Sequence, residues 1–262
     1  MTTVNDIIAF VERSTGRPLS KDEGVHRGSR DAGATSVTVA WMATADALRA
    51  AGASGSDLFI GHECLYFPYD VHIRGNGPDG WEDWPTNAQR NALLDEHGMT
   101  FLRVHSSMDQ MTILDDFAAL LELGEPVFVD GFVRIYEIAE CAYGELVDRV
   151  KRRTGMPHVR ITMADRADRT VRRVGVPWGG LGLFTNVSFQ QQILEQGVDV
   201  MIAGETDNYG FRFGEELGVP MIETSHEISE NPGIERFAKL LGEEFPGLTV
   251  TYHDLPCVWS WK

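Results

Sequence analysis

The sequence predicts an α/β fold in which most strands are parallel. Short apolar runs typical of strands alternate with segments whose apolar residues recur every three or four positions, as on one face of a helix. This alternation favours a sheet built from strand–helix–strand units, and therefore mainly parallel strands. The 262 residues, 43% of them hydrophobic, supply enough apolar surface for the core of such a fold.

The first 124 residues predict an opening helix followed by three strand–helix steps. Apolar side chains recur at helical spacing over Val4–Thr15, and Asn5 is the predicted N-cap of this helix. Residues 68–87 are rich in Pro, Gly and Asp, which predicts a long loop or insertion. The other elements are predicted as strand 36–44, helix 44–57, strand 56–61, helix 88–98, strand 99–109 and helix 110–124.

A break near residues 124–126 divides the predicted fold into two α/β lobes of similar size, which together form one family-level domain. The first lobe is assigned residues 1–124 and the second residues 125–262, with a return of the C-terminal strand to the first lobe left open. The second lobe is predicted to contain strands 133–140, 158–164, 170–182, 198–205 and 219–225 and helices 142–154, 188–196, 209–218 and 231–244.

The charge of the chain disfavours nucleic acid as a partner. A formal net charge of −16 without any Lys/Arg-rich run repels phosphate backbones and is compatible with bound cations. The three cysteines, Cys64, Cys141 and Cys257, form no Cys-x-x-Cys pair, which favours the reducing cytoplasm over a disulfide scaffold or a zinc ribbon. No apolar run reaches the roughly 18 residues of a membrane helix, and the N-terminus lacks the signal-peptide pattern, so no membrane partner is expected.

Imidazole and carboxylate side chains follow three predicted strands at the point where each strand ends. Because ligands gather at the carboxyl ends of strands in open α/β sheets, three such strands are expected to deliver their side chains to one rim. The six candidate metal ligands are His62 and Glu63 after the first of these strands, His105 and Asp109 after the second, and His226 and Glu230 after the third.

The spacing of these residues supports a metal site. In the second and third clusters the histidine and the carboxylate are four residues apart, which places both on one face of a helix. Imidazole nitrogen and carboxylate oxygen are ligands for zinc, iron, manganese and nickel, and six groups suit two metals that share a bridging water. The alternatives are an exposed helical ion pair for His226 and Glu230, and a helix N-terminal cap for His105 and Asp109.

The ordered motifs resemble those of the NIF-three-like dinuclear-metal protein family, whose members are also described as GTP cyclohydrolase I type-two homologues. "HECLYFP", "HSSMD" and "HEISE" are similar to its three histidine motifs, and "GVDVMIAGE" and "EELGVPMIETSH" to the strands that precede the last histidine. The resemblance covers residues 4–245 and matches the shorter members, which lack a middle insertion. It implies a two-metal centre in a cleft between two lobes and a toroidal hexamer built from trimers. The ligands that it implies are His62, His105, Asp109, His226 and Glu230.

The chain departs from the family pattern at two places. Glu63 stands where the family has a second histidine; an extra oxygen ligand favours Mn²⁺ or Mg²⁺, unless Glu63 does not reach and one metal position is weak. Asn208 and Tyr209 stand where the family has two further histidines, so a proton-transfer role for those is missing. Glu205 remains as a candidate catalytic base, as the partner of a metal ligand, or as an ordinary helix N-terminal carboxylate.

Two functions follow from these patterns. The first is a metal-dependent hydrolase, in which two divalent ions (Zn, Fe, Mn or Mg) activate a water that attacks a phosphoester, an amide or a purine-ring bond. The family description adds a GTP cyclohydrolase-like activity, for which nothing in the sequence itself indicates recognition of guanine. The alternative is a non-catalytic metal-binding scaffold or regulatory protein. The Gly-rich stretch 176–182 follows a predicted strand; it is interpreted as a tight turn, with phosphate binding as the alternative.

Overall fold

The computed structural model describes residues 1–75, 77–260 and 262. Asn76, which falls in the predicted loop 68–87, and Trp261 lie outside the described residues. The chain forms two compact units: unit 1 consists of Met1–Thr112 and Gly233–Leu255, and unit 2 of Ile113–Pro232 and Pro256–Lys262. The assignment of lobes to 1–124 and 125–262 stays a prediction.

Helices and strands alternate along the chain as the apolar pattern predicts. Up to residue 112 the elements are β1 (Thr2–Thr3), α1 (Val4–Thr15), β2 (Gly24–Arg27), β3 (Gly33–Ala34), β4 (Ser36–Ala40), α2 (Ala45–Ala53), β5 (Leu58–Gly61), α3 (Val71–Arg74), a 3-10 helix (Trp81–Asp83), α4 (Pro85–Glu96), β6 (Thr100–Arg103), α5 (Ser106–Met108) and the start of a π-helix (Asp109–Ile113). From there the chain contains α6 (Leu114–Leu120), β7 (Pro126–Asp130), β8 (Val133–Ala142), α7 (Tyr143–Thr154), β9 (Arg160–Ile161), β10 (Thr170–Gly175), α8 (Val187–Leu194), β11 (Val200–Ala203), α9 (Asn208–Glu216), β12 (Met221–Glu223), α10 (His226–Glu244) and β13 (Thr249–His253), with 3-10 helices at Ala164–Arg166, Gly179–Leu181 and Phe184–Asn186.

The sheet of unit 1 is mostly parallel. Its strand order is β13-β4-β5-β6-β2, and only the β6–β2 pair among these is antiparallel. The C-terminal strand β13 pairs with β4, so it belongs to this sheet. Leu48, Phe59 and Phe101 belong to the core packed against one face. Because β5 and β6 run parallel with Gly61 opposite Arg103, the residues that follow both strands emerge side by side.

The sheet of unit 2 is mixed, so the predicted parallel arrangement holds only for part of it. The predicted α/β fold class is confirmed. Its strand order is β7-β8-β10-β11-β12-β9, with parallel pairs in the centre and antiparallel pairs on both sides. β7 and β8 form a hairpin, whose two-residue turn starts at Gly131 with a φ of 54°. Ile135, Ile193 and Met201 lie in the core of this unit.

The N-cap of α1 corrects one prediction. The cap is Thr3, not Asn5: the Thr3 Oγ accepts a hydrogen bond from the Asp6 N–H, and the Asp6 carboxylate accepts one from the Thr3 N–H. Thr3 has extended backbone angles, as a cap requires, whereas Asn5 already lies inside the helix. The helix ends at Gly16, whose φ of 70° suits the left-handed C-cap.

Helix α10 begins five residues before the predicted start at residue 231. Pro232 is a residue typical of the first turn of a helix, yet here it lies inside one. The earlier start places His226 and Glu230 on the same helix. The predicted loop 68–87 also contains structure, namely α3, a 3-10 helix and the start of α4 at Pro85. Within the described residues, no helix has both the length and the apolar character that a bilayer span needs.

Candidate metal centre

Three of the predicted ligands in unit 1 gather where β5 and β6 end. The rings of His62 and His105 have centroids 4.9 Å apart. His62, Glu63 and His105 each offer a ligand atom, and these atoms lie within 4.8 Å of one another. The carboxylate of Asp109 joins them, with Oδ1 at 3.8 Å from His62 Nε2. The four candidates of unit 1 therefore form one cluster.

The unit 1 cluster is mostly buried, and only the His105 side chain, 27% exposed, reaches solvent to a larger extent. His62 is fully buried and Glu63 is 4% exposed. Buried imidazole and carboxylate groups at this separation are donors of the kind that hold divalent metal ions. Burial also makes uncompensated carboxylates costly, so a bound cation would stabilise the cluster. The residues thus fit a divalent metal by their chemistry and by their placement.

A carboxylate that the sequence analysis did not single out holds His105. Asp22 Oδ2 lies 2.7 Å from His105 Nδ1, which leaves Nε2 as the nitrogen for a metal. Burial of Asp22 opposes its ionisation, but the hydrogen bond with His105 and the charge of Arg103 outweigh burial and lower the pKa of Asp22 to about 2. Asp22 is therefore an anion at neutral pH and fixes the orientation of the ring.

Glu23 fixes the backbone around His105. Its Oε1 accepts hydrogen bonds from the N–H groups of His105 and Ser107, both at 2.8 Å. Glu23 thereby caps the helical turn that begins after His105, a role that one alternative assigned to His105 and Asp109. The side chains of His105 and Asp109 both lie beside His62 instead of capping this turn.

Unit 2 contains the third predicted pair. His226 and Glu230 lie one turn apart on α10, with His226 Nε2 at 3.3 Å from Glu230 Oε1. Glu230 is 2% exposed, so the pair is not the exposed ion pair considered as an alternative. His226 Nδ1 lies 3.0 Å from Glu205 Oε2, which again leaves Nε2 for a metal. Asp207, and not Glu205, caps α9, so Glu205 is not an ordinary helix N-terminal carboxylate.

The Gly-rich stretch 176–182 packs directly against this pair. It forms the predicted tight turn as a 3-10 helix, Gly179–Leu181. A Cβ on Gly179 would collide with the Glu230 carboxylate, and a Cβ on Gly180 would lie 3.1 Å from His226 Cε1. Gly179 also has a φ of +51°, which other residues adopt at a cost. These glycines are needed because the backbone passes so close to both side chains.

Sequence reasoning found the candidate ligands but missed the residues that hold them. Asp22, Glu23 and the buried Arg103 carry no signal in the pattern, since they act on residues far away along the chain. Gly179 and Gly180 were visible in the sequence as part of a glycine run. The sequence did not show that this run packs against His226 and Glu230. Asn208 and Tyr209 lie at the start of α9, and the Tyr209 side chain is mostly exposed.

The fold and the clusters define a class: a two-unit α/β protein with histidine–carboxylate groups after its sheet strands. The chain belongs to the Duf34/NIF3 (NGG1p interacting factor 3) family, whose sequence model matches residues 2–256. This match confirms the family resemblance that the three histidine motifs indicate in the sequence. None of the curated proteins matches the chain.

Solved structures share the fold over nearly the whole chain. A Bacillus cereus protein related to NIF3 has a TM-score of 0.81 at 14% identity and covers 100% of this chain and 99% of its own. Protein ybgI has a TM-score of 0.79 at 20% identity, covering 97% and 99%. Reduced HcgD from Methanocaldococcus jannaschii has a TM-score of 0.75 at 16% identity, covering 97% and 98%. At these identities the likeness concerns the fold alone.

Proposed function

We propose that the protein is a metal-dependent hydrolase that binds two divalent ions through residues of both units. The observation that carries the proposal is the same arrangement in each unit: a histidine whose Nδ1 is held by a carboxylate, with Nε2 left beside further ligand groups. The proposed ligands are His62, Glu63, His105 and Asp109 in unit 1, and His226 and Glu230 in unit 2.

The chain's own residues would orient the ligands and move a proton. Bound divalent ions would supply a Lewis acid and an activated water for attack on a phosphoester, an amide or a purine-ring bond. Asp22 and Glu205 fix the rings of His105 and His226. The side chain of Glu205 is 45% exposed, so it is accessible to water, and we assign it the transfer of the proton. A GTP cyclohydrolase-like reaction is included among the candidates. The family resemblance supports a toroidal hexamer and a cytoplasmic location as further parts of the proposal.

Metal content tests the site directly. The apo-protein is titrated with Zn²⁺, Fe²⁺ and Mn²⁺, and bound metal is measured by elemental analysis for the wild type, His62→Ala, His226→Ala and the double variant. We expect two ions in the wild type and a loss in each single variant. The control is His158→Ala, which removes an exposed histidine and should leave the metal content unchanged. Full occupancy in the double variant would overturn the site.

The double variant also shows whether the two units serve the same ions. If each unit bound its own ion, the losses in His62→Ala and His226→Ala would add. If both units contribute to shared ions, either single change would already remove most of the metal, and the second would add little. Sedimentation or light scattering of the same samples gives the oligomer mass and tests the hexamer.

A metal-binding scaffold remains the second candidate. The observation that favours it is the presence of Asn208 and Tyr209 where the family has two histidines. The proteins are assayed on phosphoester, cyclic-nucleotide, dipeptide and GTP substrates before and after treatment with a chelator. Turnover that a chelator abolishes supports the hydrolase. No turnover, together with a melting temperature that falls on metal removal, supports the scaffold.

A further inference from the structure

A cavity of about 520 Å³ lies in unit 2 between helix α9 and the segment that begins at the end of β9. Residues 161–164 form one wall. The other wall is a single face of α9, since its residues recur every three or four positions: Asn208, Phe211, Arg212 and Glu215. The volume falls in the range of small-molecule sites. None of these residues is a candidate metal ligand, so the proposed function leaves the cavity unexplained.

The two walls are held in place by their own contacts. Arg160 Nη2 donates a hydrogen bond of 2.7 Å to the Thr206 carbonyl, and the guanidinium forms an ion pair with the buried Glu223. Its central carbon also lies 5.3 Å from the centre of the Phe211 ring. Met163 has a φ of 54°, a left-handed value that costs a non-glycine residue free energy and that is found mostly at functional segments. The cavity is therefore preformed, which lowers the cost of binding a ligand.

Two polar groups on the walls are available to a ligand. Thr162 Oγ1 accepts a hydrogen bond from the Met221 N–H at 3.0 Å, which leaves its O–H to donate. Within the described residues, the Asn208 carboxamide has no hydrogen-bond partner. A carboxamide presents one donor and one acceptor side by side, so it pairs twice only with a group that also presents one of each. An amide does so, whereas a carboxylate offers no donor and an amidinium no acceptor.

The charges on the cavity wall cancel. Arg212 Nη1 lies 2.8 Å from Glu215 Oε2, and these are the two charged residues among the eight described along the cavity. A charged ligand would lose hydration without gaining an unpaired partner of opposite charge. Ile161, Met163 and Phe211 present apolar surface, which suits a planar ring.

We propose that this cavity binds a neutral, planar ring compound that carries an amide group. The amide pairs with the Asn208 carboxamide, the Thr162 O–H donates to the ligand, and the ring packs against Phe211 and Met163. The site requires no metal, so its test is independent of the proposed function.

Three probes of one shape separate the charge of the ligand from its size: neutral benzamide, anionic benzoate and cationic benzamidinium. Their affinities for the metal-free full chain, kept in excess chelator, are measured by calorimetry or ligand-observed NMR. We expect benzamide to bind at least about tenfold more tightly than either ion, because each ion leaves one end of the Asn208 carboxamide unpaired. An ion that binds as tightly as benzamide, or no binding of benzamide at about 10 mM, overturns the proposal.

A change of preference tests Asn208 itself. Asn208→Asp replaces the donor end of the side chain by a second acceptor at nearly constant size, so benzamidinium should then bind at least about tenfold more tightly than benzamide. The matched control is Gln192→Glu, the same chemical change at an exposed position of α8 outside the cavity wall, which should keep the wild-type order. The same reversal in both variants would reflect added negative charge alone and would overturn the role of Asn208.

Filling the cavity tests its location. Ala164→Trp places a large side chain at an exposed position on the cavity wall. We expect at least about a tenfold loss of benzamide affinity and an unchanged melting temperature, since the position is outside the core. Wild-type affinity in Ala164→Trp would place benzamide elsewhere on the chain and overturn the proposal.

Discussion

Unit 1 and unit 2 hold their candidate ligands by different physical means. In both, a carboxylate fixes the Nδ1 of a histidine, Asp22 for His105 and Glu205 for His226. Around this shared feature, unit 1 uses charge, with a buried guanidinium among carboxylates. Unit 2 uses close backbone packing, with Gly179 and Gly180 against the two side chains. A charge network tolerates small shifts of position, whereas a packed backbone tolerates almost none.

The packing in unit 2 predicts the largest effect of a single methyl group. In Gly179→Ala the new Cβ collides with the Glu230 carboxylate, so we expect loss of the metal that we propose at His226 and Glu230. The control is Gly197→Ala, at a φ of +68° with no atom within 4 Å of the new Cβ, which isolates the backbone strain. That control should cost about 1 kcal/mol in the free energy of unfolding and no metal. Equal metal content in both variants would refute close packing as the support of this pair.

The shared feature predicts losses of metal affinity in both units. Asp22→Asn and Glu205→Gln each remove the negative charge that orients a histidine, and such changes cost about 10–100-fold in metal affinity. The Asp22 side chain is 27% exposed and that of Glu205 45%, so the loss should be larger for Asp22, where solvent screens less. Asp46→Asn, in a side chain that is 93% exposed, is the control and should change nothing. A larger loss of metal affinity in Glu205→Gln than in Asp22→Asn would show that the exposure of the carboxylate does not set the size of the effect.

The charge network of unit 1 also predicts a dependence of stability on pH. His26 and His72 pack with ring centroids 4.3 Å apart, and burial, followed by the charges of His72 and Arg103, lowers the pKa of His26 to about 3. In the unfolded chain His26 binds a proton below about pH 6.5, whereas in the folded chain it stays neutral down to about pH 3. Stability is therefore lost as the pH falls from 6.5 towards 3, by about 2 kcal/mol at pH 5.

Urea unfolding of the metal-free protein at pH 7 and pH 5 measures this loss. In His26→Leu the difference between the two pH values should shrink by about 2 kcal/mol. His158→Leu, at an exposed position, should keep the wild-type difference. If both variants behave alike, the pH dependence comes from other groups, and the imidazole of His26 is not its source.

The sequence predicted the parts of the molecule that depend on local pattern. Apolar spacing gave the alternation of elements, and strand ends gave the candidate ligands of both units. The residues that hold those ligands were not predicted, because Asp22 lies 83 positions before His105 and Arg103 contacts His62 from 41 positions away. Nothing local to Asp22 or Arg103 distinguishes them from surface charges. The start of α10 was missed because Pro232 imitates a first-turn signal.

The smallest expected effect concerns the hydrogen bonds behind the glycine turn of unit 2. The buried Ser229 Oγ accepts from the Gly179 N–H at 2.9 Å and donates to the His226 carbonyl at 2.8 Å. Ser229→Ala leaves the Gly179 N–H without its acceptor, so we expect a loss of about 1 kcal/mol in the free energy of unfolding and less than about tenfold in metal affinity. Ser188→Ala, at an exposed position, is the control and should be neutral. An effect on metal affinity as large as that of Asp22→Asn would show that unit 2 depends on its hydrogen bonds as strongly as unit 1 depends on its charges.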